Sequence, residues 1–139
     1  MKTVFKYLTV LFIGGMTYYT IEHLWRGYSH WTMWFAGGLG IIAIGALNDN
    51  QFEWNMSLTS QMFLSGIAVT GIELCFGILF NMILKWHIWD YSMIPYNFLG
   101  QICMSYFGFW QILSPVAIFM YDYIDYWFFG GDKPSYKFI

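Results

Sequence analysis

Long apolar segments separated by short polar ones dominate the chain. The first apolar segment runs from Val4 to Trp25, close to the roughly 20 residues that a helix needs to cross a bilayer. A second, rich in glycine, runs from about Trp31 to Leu47, and a third runs from roughly Leu58 to Trp86. These segments predict three membrane helices, with the polar residues 48–55 forming the loop between the second and third.

The last third of the chain predicts a fourth helix. It is expected to begin near Pro95 to Asn97, because proline suits the first turn of a helix. Pro115 permits a kink or a break, so residues 115–129 either finish this helix or form a separate fifth one. The predicted fold is all-α: a single polytopic membrane domain over residues 1–139, with four transmembrane helices and a fifth C-terminal helix as the alternative.

The composition favours the bilayer as solvent. The chain is 58% hydrophobic and 24% aromatic, and only 10% of its residues are charged, against about 25% in soluble domains. A soluble domain of this size buries only about two-thirds of its surface, too little to hide so much apolar area. The formal net charge of -2 gives no sign of a nucleic-acid partner. We expect a multi-pass integral membrane protein.

One carboxylate, Glu73, lies near the middle of the third apolar segment. Small and polar residues recur around it at helical spacing: Gly66, Thr70, Gly77 and Asn81. A carboxylate is costly to bury in a membrane segment, so its presence there favours a functional role. We predict that Glu73 binds a proton or a small cationic solute. The alternative is a structural carboxyl group that is hydrogen-bonded across helices.

Three further residues are assigned to the same substrate- or proton-binding site. Glu22 lies in the first helix, four residues before Arg26, a spacing that also suits an ordinary helical ion pair. Asn97 and Gln101 open a polar stripe on the predicted fourth helix. Asn97 has a second interpretation, in which its side chain caps that helix and holds the preceding turn.

A compact turn joins the third and fourth segments. Trp89, Asp90, Tyr91 and Ser92 are predicted to be its structural residues, since Asx and serine side chains readily bond turn backbone. A ligand-gating role for the turn is the alternative. The two halves of the chain also echo each other weakly, with Ile21-Glu22 corresponding to Ile72-Glu73. A parallel two-helix repeat would bring both carboxylates towards a shared axis.

The turn and the carboxylates resemble a family of bacterial membrane proteins, the putative ABC-transporter type IV (CmpB-like) permeases. The resemblance spans roughly residues 10 to 112 and rests on Glu22, Arg26-Gly27, Glu73, Trp89-Asp90-Tyr91-Ser92, Asn97 and Gly100. The chain departs from the family pattern after the first helix, where only Gly37, Gly38 and Gly40 echo its glycine-rich stretch. The resemblance implies a transport function and a location in the bacterial inner membrane.

The sequence contains no phosphate-binding loop of the form G-x-x-x-x-G-K-[ST] and no G-x-S-x-G motif. We predict no enzyme activity, no catalytic residue, no metal and no cofactor. The predicted function is transport or permeation of a small solute or proton. The alternatives are a non-enzymatic membrane interaction or regulatory subunit, and a proton-coupled cation exporter. The expected partners are lipid, the solute or proton, and a second copy or a membrane partner protein, with no nucleic acid.

Overall fold

The computed structural model describes residues 1–47 and 56–138, so the predicted polar loop at 48–55 lies outside the described residues. The described part is mostly helical, as predicted. Its elements are α1 (Lys2–Arg26), α2 (Trp31–Ala46), α3 (Leu58–Phe76), the strands β1 (Asn97–Phe98) and β2 (Ile102–Cys103), and α4 (Met104–Phe129). The first three predicted helices are confirmed to within a few residues at their starts.

Two segments of the described chain are long and apolar enough to cross a bilayer. They are Lys2–Arg26 and Leu58–Ile83, while Trp31–Ala46 is apolar but shorter. The predicted helical character is therefore confirmed, and two of the four predicted transmembrane helices have the length and composition to cross a bilayer.

Helices α1 and α2 pack closely because glycines lie at their contact. A β-carbon at Gly15 would be 2.6 Å from the carbonyl oxygen of Trp34, and one at Gly38 would be 2.5 Å from the carbonyl oxygen of Leu11. A carbonyl oxygen within a helix cannot rotate away as a flexible side chain can. Glycine is therefore required at both positions for the two backbones to approach.

We expect Gly38→Ala to lower the free energy of unfolding by about 1–3 kcal/mol, the usual cost of forcing extra volume into a packed contact. Gly108→Ala is the matched control, because a β-carbon there meets nothing within 4 Å. Removing the entropic cost of a helical glycine should make that variant up to about 1 kcal/mol more stable. The free energies of unfolding of both variants would be measured in mixed detergent micelles. Equal stability of the two variants would contradict the close α1–α2 contact.

The third helix ends in a π-helical segment, Gly77–Ile83, rather than continuing to Trp86 as predicted. Asn81 stabilises the end: its Oδ1 accepts a hydrogen bond of 2.7 Å from the Ile88 N–H, and its Nδ2 donates one of 2.8 Å to Gln101. The chain then turns back through Lys85 and His87, both at positive φ. The side chain of Asn81 therefore ends the helix by bonding the backbone that follows it.

The predicted start of the fourth helix at Pro95 to Asn97 is wrong. Asn97 instead opens a short antiparallel hairpin in which it pairs with Cys103, and α4 begins at Met104. The hairpin closes through Leu99 at φ 55° and Gly100 at φ 69°, a left-handed conformation that ends regular structure. Asn97 and Gln101 consequently lie before α4 and do not form a stripe on it.

The alternative of a separate fifth helix over residues 115–129 is also wrong, since α4 runs unbroken through Pro115 to Phe129. Proline has no N–H to donate to the carbonyl of Gln111, four residues earlier. The Ser114 hydroxyl donates to that carbonyl oxygen instead, at 2.9 Å. Because the freed carbonyl keeps a partner, the helix continues.

The C-terminal residues 130–138 pack back on the bundle as an irregular segment. The Tyr136 hydroxyl donates to Asp122 at 2.9 Å, and the Leu58 N–H donates to the carbonyl of Lys137. Asp125 on α4 forms an ion pair of 2.8 Å with Lys6 on α1. These contacts place the acidic end of α4 beside the N-terminal end of α1.

Candidate functional site

Glu73 lies in the interior, only 7% exposed, with both carboxylate oxygens hydrogen-bonded. Its Oε1 accepts from the Tyr91 hydroxyl at 2.8 Å, and its Oε2 accepts from the indole N–H of Trp110 at 3.0 Å. The carboxylate therefore joins three parts of the fold: α3, the turn before the hairpin, and the first turns of α4. Both partners are neutral donors.

Tyr91 reaches Glu73 because the turn folds back against α3. The Trp89 indole is buried and donates to the Gln101 carbonyl at 2.9 Å, and the Tyr91 N–H donates to the Gly100 carbonyl at 2.8 Å. The Tyr91 ring then stacks on Tyr106 of α4, with ring centroids 4.7 Å apart. These contacts fix the direction in which the Tyr91 hydroxyl points.

The second carboxylate, Glu22, forms the ion pair that its spacing predicted. Its Oε1 lies 3.0 Å from the Arg26 guanidinium, and Glu22 is only 6% exposed. Arg26 also donates to the Tyr28 hydroxyl at 2.8 Å and to the Ile88 carbonyl at 3.3 Å, which ties the end of α1 to the turn. Oε2 of Glu22 has no hydrogen-bond partner within the described part of the chain.

Two adjoining cavities lie beside these carboxylates. The larger, about 320 Å³, lies between α1, the turn and the start of α4. The smaller, about 100 Å³, lies inside the bundle, is mainly apolar, and has Glu73 in its wall. Tyr18, Ile21 and Trp110 line both cavities, so the two are separated by single side chains. The larger is lined by Tyr18, Ile21, Glu22, Trp25, Arg26, Tyr91, Ser105, Tyr106, Phe109 and Trp110.

The predicted site residues separate into two groups. Glu22 and Glu73 come close enough to interact electrostatically, with Tyr18 beside both. Gln101 is buried but bonds Asn81, and Asn97 is exposed at the turn. Neither amide side chain has a bond to Glu73 or Glu22 among the contacts of the described residues. The structure therefore unites the two carboxylates and leaves the two amides with the turn.

The side chain of Asn97 organises the turn by bonding its backbone. It donates to the carbonyls of Ser92 and Ile94 at 3.2 and 2.9 Å and accepts from the Gly100 N–H at 3.0 Å. Asp90 accepts from the Ser92 N–H at 2.8 Å. Of the four residues assigned to the structural turn, Tyr91 alone among the described contacts also bonds a carboxylate of the site.

Sequence reasoning missed Trp110, Tyr106 and Tyr18, which complete the surroundings of the carboxylates. Trp110 is 8% exposed and supplies half of the hydrogen bonds to Glu73. Each is one aromatic residue among many in the sequence, and aromatic content alone does not reveal which indole or phenol faces a carboxylate. The buried acid itself was the available signal, because it requires donors nearby.

The Putative ABC-transporter type IV family model matches residues 19–130 of this chain. The chain belongs to this family. Neither the comparison with curated proteins nor the comparison with solved structures gives a significant match. The matched region begins within α1, later than the residue 10 expected from motifs alone, and extends to the end of α4, beyond the expected residue 112. It contains both carboxylates, the turn and every residue that lines the larger cavity except Tyr18.

Tyr91→Phe should lower the free energy of unfolding by about 1–3 kcal/mol, because it leaves Oε1 of Glu73 buried without a donor. Tyr106→Phe is the matched control: it removes a hydroxyl from the other ring of the same stack and leaves the bonds to Glu73 intact. Unfolding in mixed micelles compares them. Equal losses would show that the stack, and not the bond to Glu73, holds the turn.

Asp90 should give the turn a mild acid sensitivity. The Ser92 N–H donates to its ionised carboxylate and lowers the pKa of Asp90. A lowered pKa in the folded state means that the stabilisation is present above the ordinary pKa and is lost as pH falls through the folded value. Asp90→Asn keeps an acceptor oxygen but does not titrate. Its melting temperature should fall less than that of the wild type on acidification below about pH 4. An equal fall in the melting temperatures of the two proteins would refute this role.

Proposed function

We propose that this protein is a small, non-enzymatic, permease-like membrane protein that binds a solute in its larger cavity and passes it along Glu73. In this proposal all four helices cross the membrane. The observation that supports it most strongly is the juxtaposition of a cavity of about 320 Å³ with two buried carboxylates. The family to which the chain belongs is named for transport, which agrees with this function.

The outer surface of the bundle supports its membrane location. Each helix exposes large apolar side chains that water would solvate poorly. They include Phe5, Phe12 and Met16 on α1, Phe35 and Leu39 on α2, Phe63 and Ile67 on α3, and Ile112, Val116 and Phe119 on α4. The 26 residues of α4 extend roughly 39 Å at 1.5 Å per residue, and the 16 of α2 roughly 24 Å, so α2 would need local thinning of the bilayer or snorkelling of its flanking residues.

The turn supports a solute site because it brings irregular backbone alongside α3. In a membrane, non-helical backbone is tolerated where it is buried in protein or lines a water-filled cavity. Transporter sites are commonly built at such interruptions. Here α3 ends in the π-helical segment Gly77–Ile83, and π-helical turns often mark functional sites. The returning turn then contributes Tyr91 to the wall of the larger cavity.

Glu73 can exchange its proton within its existing contacts. The Trp110 indole can only donate, so it always faces an acceptor oxygen. The Tyr91 hydroxyl can donate to an ionised Glu73 or accept from a protonated one. A carboxyl with one reversible partner can change protonation without losing a hydrogen bond, which is what a proton-coupled carrier requires.

Reconstitution tests this function with a variant that fills the cavity. Uptake into proteoliposomes would be measured for four polar probes: tyramine, which is a protonated aromatic amine, glycine betaine, mannitol and sulfate. Ser105 is exposed at the start of α4 and lines the cavity, so Ser105→Trp should occlude it without disturbing the core. Ser135→Trp, in the exposed C-terminal segment, is the matched control.

We expect at least one probe to enter wild-type and Ser135→Trp proteoliposomes faster than protein-free ones, and Ser105→Trp to remove most of the difference. If none of the four probes enters faster than through lipid alone, or if Ser105→Trp leaves the rate unchanged, the permease function is wrong.

A membrane interaction subunit is the second candidate, and one observation favours it. The tip of the turn exposes several apolar side chains: Met93, Tyr96, Phe98, Leu99 and Met104. Such a surface suits contact with another membrane protein. This function would leave the larger cavity without a role, so the Ser105→Trp comparison also separates the two candidates.

A further inference from the structure

We propose that the larger cavity recognises a protonated organic amine: an ammonium group with at least one N–H, attached to an apolar or aromatic group. This inference rests on the proposed function, since it names the chemical class of the solute. Three features of the cavity support it: a carboxylate oxygen without a hydrogen bond of normal length, walls made mainly of aromatic rings, and an arginine that three protein acceptors already hold.

The first feature is Oε2 of Glu22. Glu22 is 94% buried and lines the cavity, and this oxygen accepts no hydrogen bond of normal length from the described residues, although the Tyr18 hydroxyl lies close enough to interact with Glu22. A buried acceptor without a donor is unfavourable, and the terminal torsion of glutamate is soft enough to turn the oxygen towards a ligand. An ammonium N–H supplies both the missing donor and a complementary charge.

The second feature is the wall of the cavity. Six of its ten lining residues are aromatic: Tyr18, Trp25, Tyr91, Tyr106, Phe109 and Trp110. The faces of such rings attract cations and also pack against apolar groups. A volume of about 320 Å³ is within the range of small-molecule pockets. The wall therefore suits a cation with an apolar substituent better than a strongly hydrated inorganic ion.

The third feature is the use of Arg26. Its guanidinium contacts Glu22, the Tyr28 hydroxyl and the Ile88 carbonyl. It also lies 4.8 Å from the centroid of the Tyr28 ring. An arginine held in this way is a poor receptor for an anionic solute. When both are ionised, the two nearby carboxylates, Glu22 and Glu73, outnumber this one positive charge, and the balance of charge then favours a cationic ligand.

Equilibrium dialysis of the purified protein in detergent tests the inference, with protein-free micelles subtracted. The three probes are benzylammonium, benzyltrimethylammonium, which is a cation without an N–H, and benzyl alcohol, which is neutral. We expect benzylammonium to bind about tenfold more tightly than either of the others, the difference that a charge-assisted hydrogen bond makes. Glu22→Gln should weaken benzylammonium about tenfold and leave benzyl alcohol unchanged.

A second variant keeps the test valid if Glu22→Gln fails to fold. Trp25 lines the cavity and is 74% exposed, so Trp25→Leu removes a ring with little risk to the core. Trp127 is a matched control, since it is 67% exposed and is not among the residues lining the cavity. Trp25→Leu should weaken benzylammonium severalfold, and Trp127→Leu should not.

Each other result would overturn the inference. If benzyltrimethylammonium binds as tightly as benzylammonium, no hydrogen bond to Glu22 contributes to recognition. If benzyl alcohol binds as tightly, the positive charge does not contribute. An unchanged affinity in both Glu22→Gln and Trp25→Leu places the amine elsewhere. If the protein carries mannitol or sulfate in a Ser105→Trp-sensitive way and binds no amine, the proposed function survives and only the amine is wrong. If nothing is bound or carried, both are wrong.

Discussion

Arg26→Leu is expected to lower the free energy of unfolding by about 3 kcal/mol, the typical cost of breaking a buried ion pair by removing one partner. The loss arises because Glu22, which is 6% exposed, would lose the guanidinium 3.0 Å away and would have to hold its charge unpaired or take up a proton. The variant also loses the bond from Arg26 to the Ile88 carbonyl, which joins α1 to the turn.

A double-mutant cycle with Glu22 as its second site separates the unpaired charge from the lost bond to the turn. Glu22→Gln in the Arg26→Leu background removes the unpaired charge and should restore most of the lost stability. The four proteins of this double-mutant cycle would be unfolded in mixed micelles. If the double variant is as unstable as Arg26→Leu alone, the link from Arg26 to the turn is the dominant contribution, and the charge of Glu22 is of little consequence for stability.

The helices were predictable because their sequence signals are local. Apolar runs of membrane length predicted α1 and α3. The stripe around Glu73 identified the buried face of α3 and of the π-helical segment that follows it, where Gly66, Gly77 and Asn81 are all buried. The ion pair between Glu22 and Arg26 followed from their spacing. Each of these features depends on residues within a few positions of one another, which a sequence pattern records directly.

The chain between α3 and α4 was not predictable for the opposite reason. A proline followed by an asparagine suits a helix start, but here Asn97 bonds the turn backbone and Leu99 adopts a left-handed conformation. Pro115 likewise suggested a break that the Ser114 hydroxyl prevents. The donors to Glu73 come from 18 and 37 residues away along the chain. Such long-range partners are chosen by tertiary packing, which periodicity does not encode.

Glu73→Gln is expected to fold almost as well as the wild type and to lose pH-dependent uptake. Its amide oxygen can face the Trp110 indole while its NH₂ faces the Tyr91 hydroxyl, so both hydrogen bonds survive with a change in stability of about 1 kcal/mol or less. The groups that face Glu73 are Tyr18 and Glu22 from α1, Tyr91 from the turn and Trp110 from α4. Replacing the one carboxylate on α3 removes the proton exchange that couples uptake to pH.

The measurement is the uptake of the transported probe into proteoliposomes at several external pH values. Wild-type uptake should vary with pH, whereas Glu73→Gln should be slower and flat. Asp132→Asn, in the C-terminal segment, is the control for loss of a carboxylate and should keep the wild-type profile. A full pH response in Glu73→Gln would make Glu73 a structural group and would favour the interaction subunit.

The most direct test of the solute site needs no knowledge of the solute. Ile21 lines both cavities, so Ile21→Cys places a thiol in the wall that the two cavities share. The two native cysteines would be replaced, by Cys75→Ser and Cys103→Ala, so that the introduced thiol is the one probed. The protein in lipid nanodiscs would then be treated with a water-soluble methanethiosulfonate, which reacts with the thiolate. Ile112→Cys, 77% exposed on the apolar outer face of α4, is the lipid-facing control. We predict that Ile21→Cys reacts at a rate close to that of Ser135→Cys in the exposed tail and far faster than Ile112→Cys. An Ile21→Cys as unreactive as Ile112→Cys would mean that the cavity is sealed from water, which would contradict the permease function.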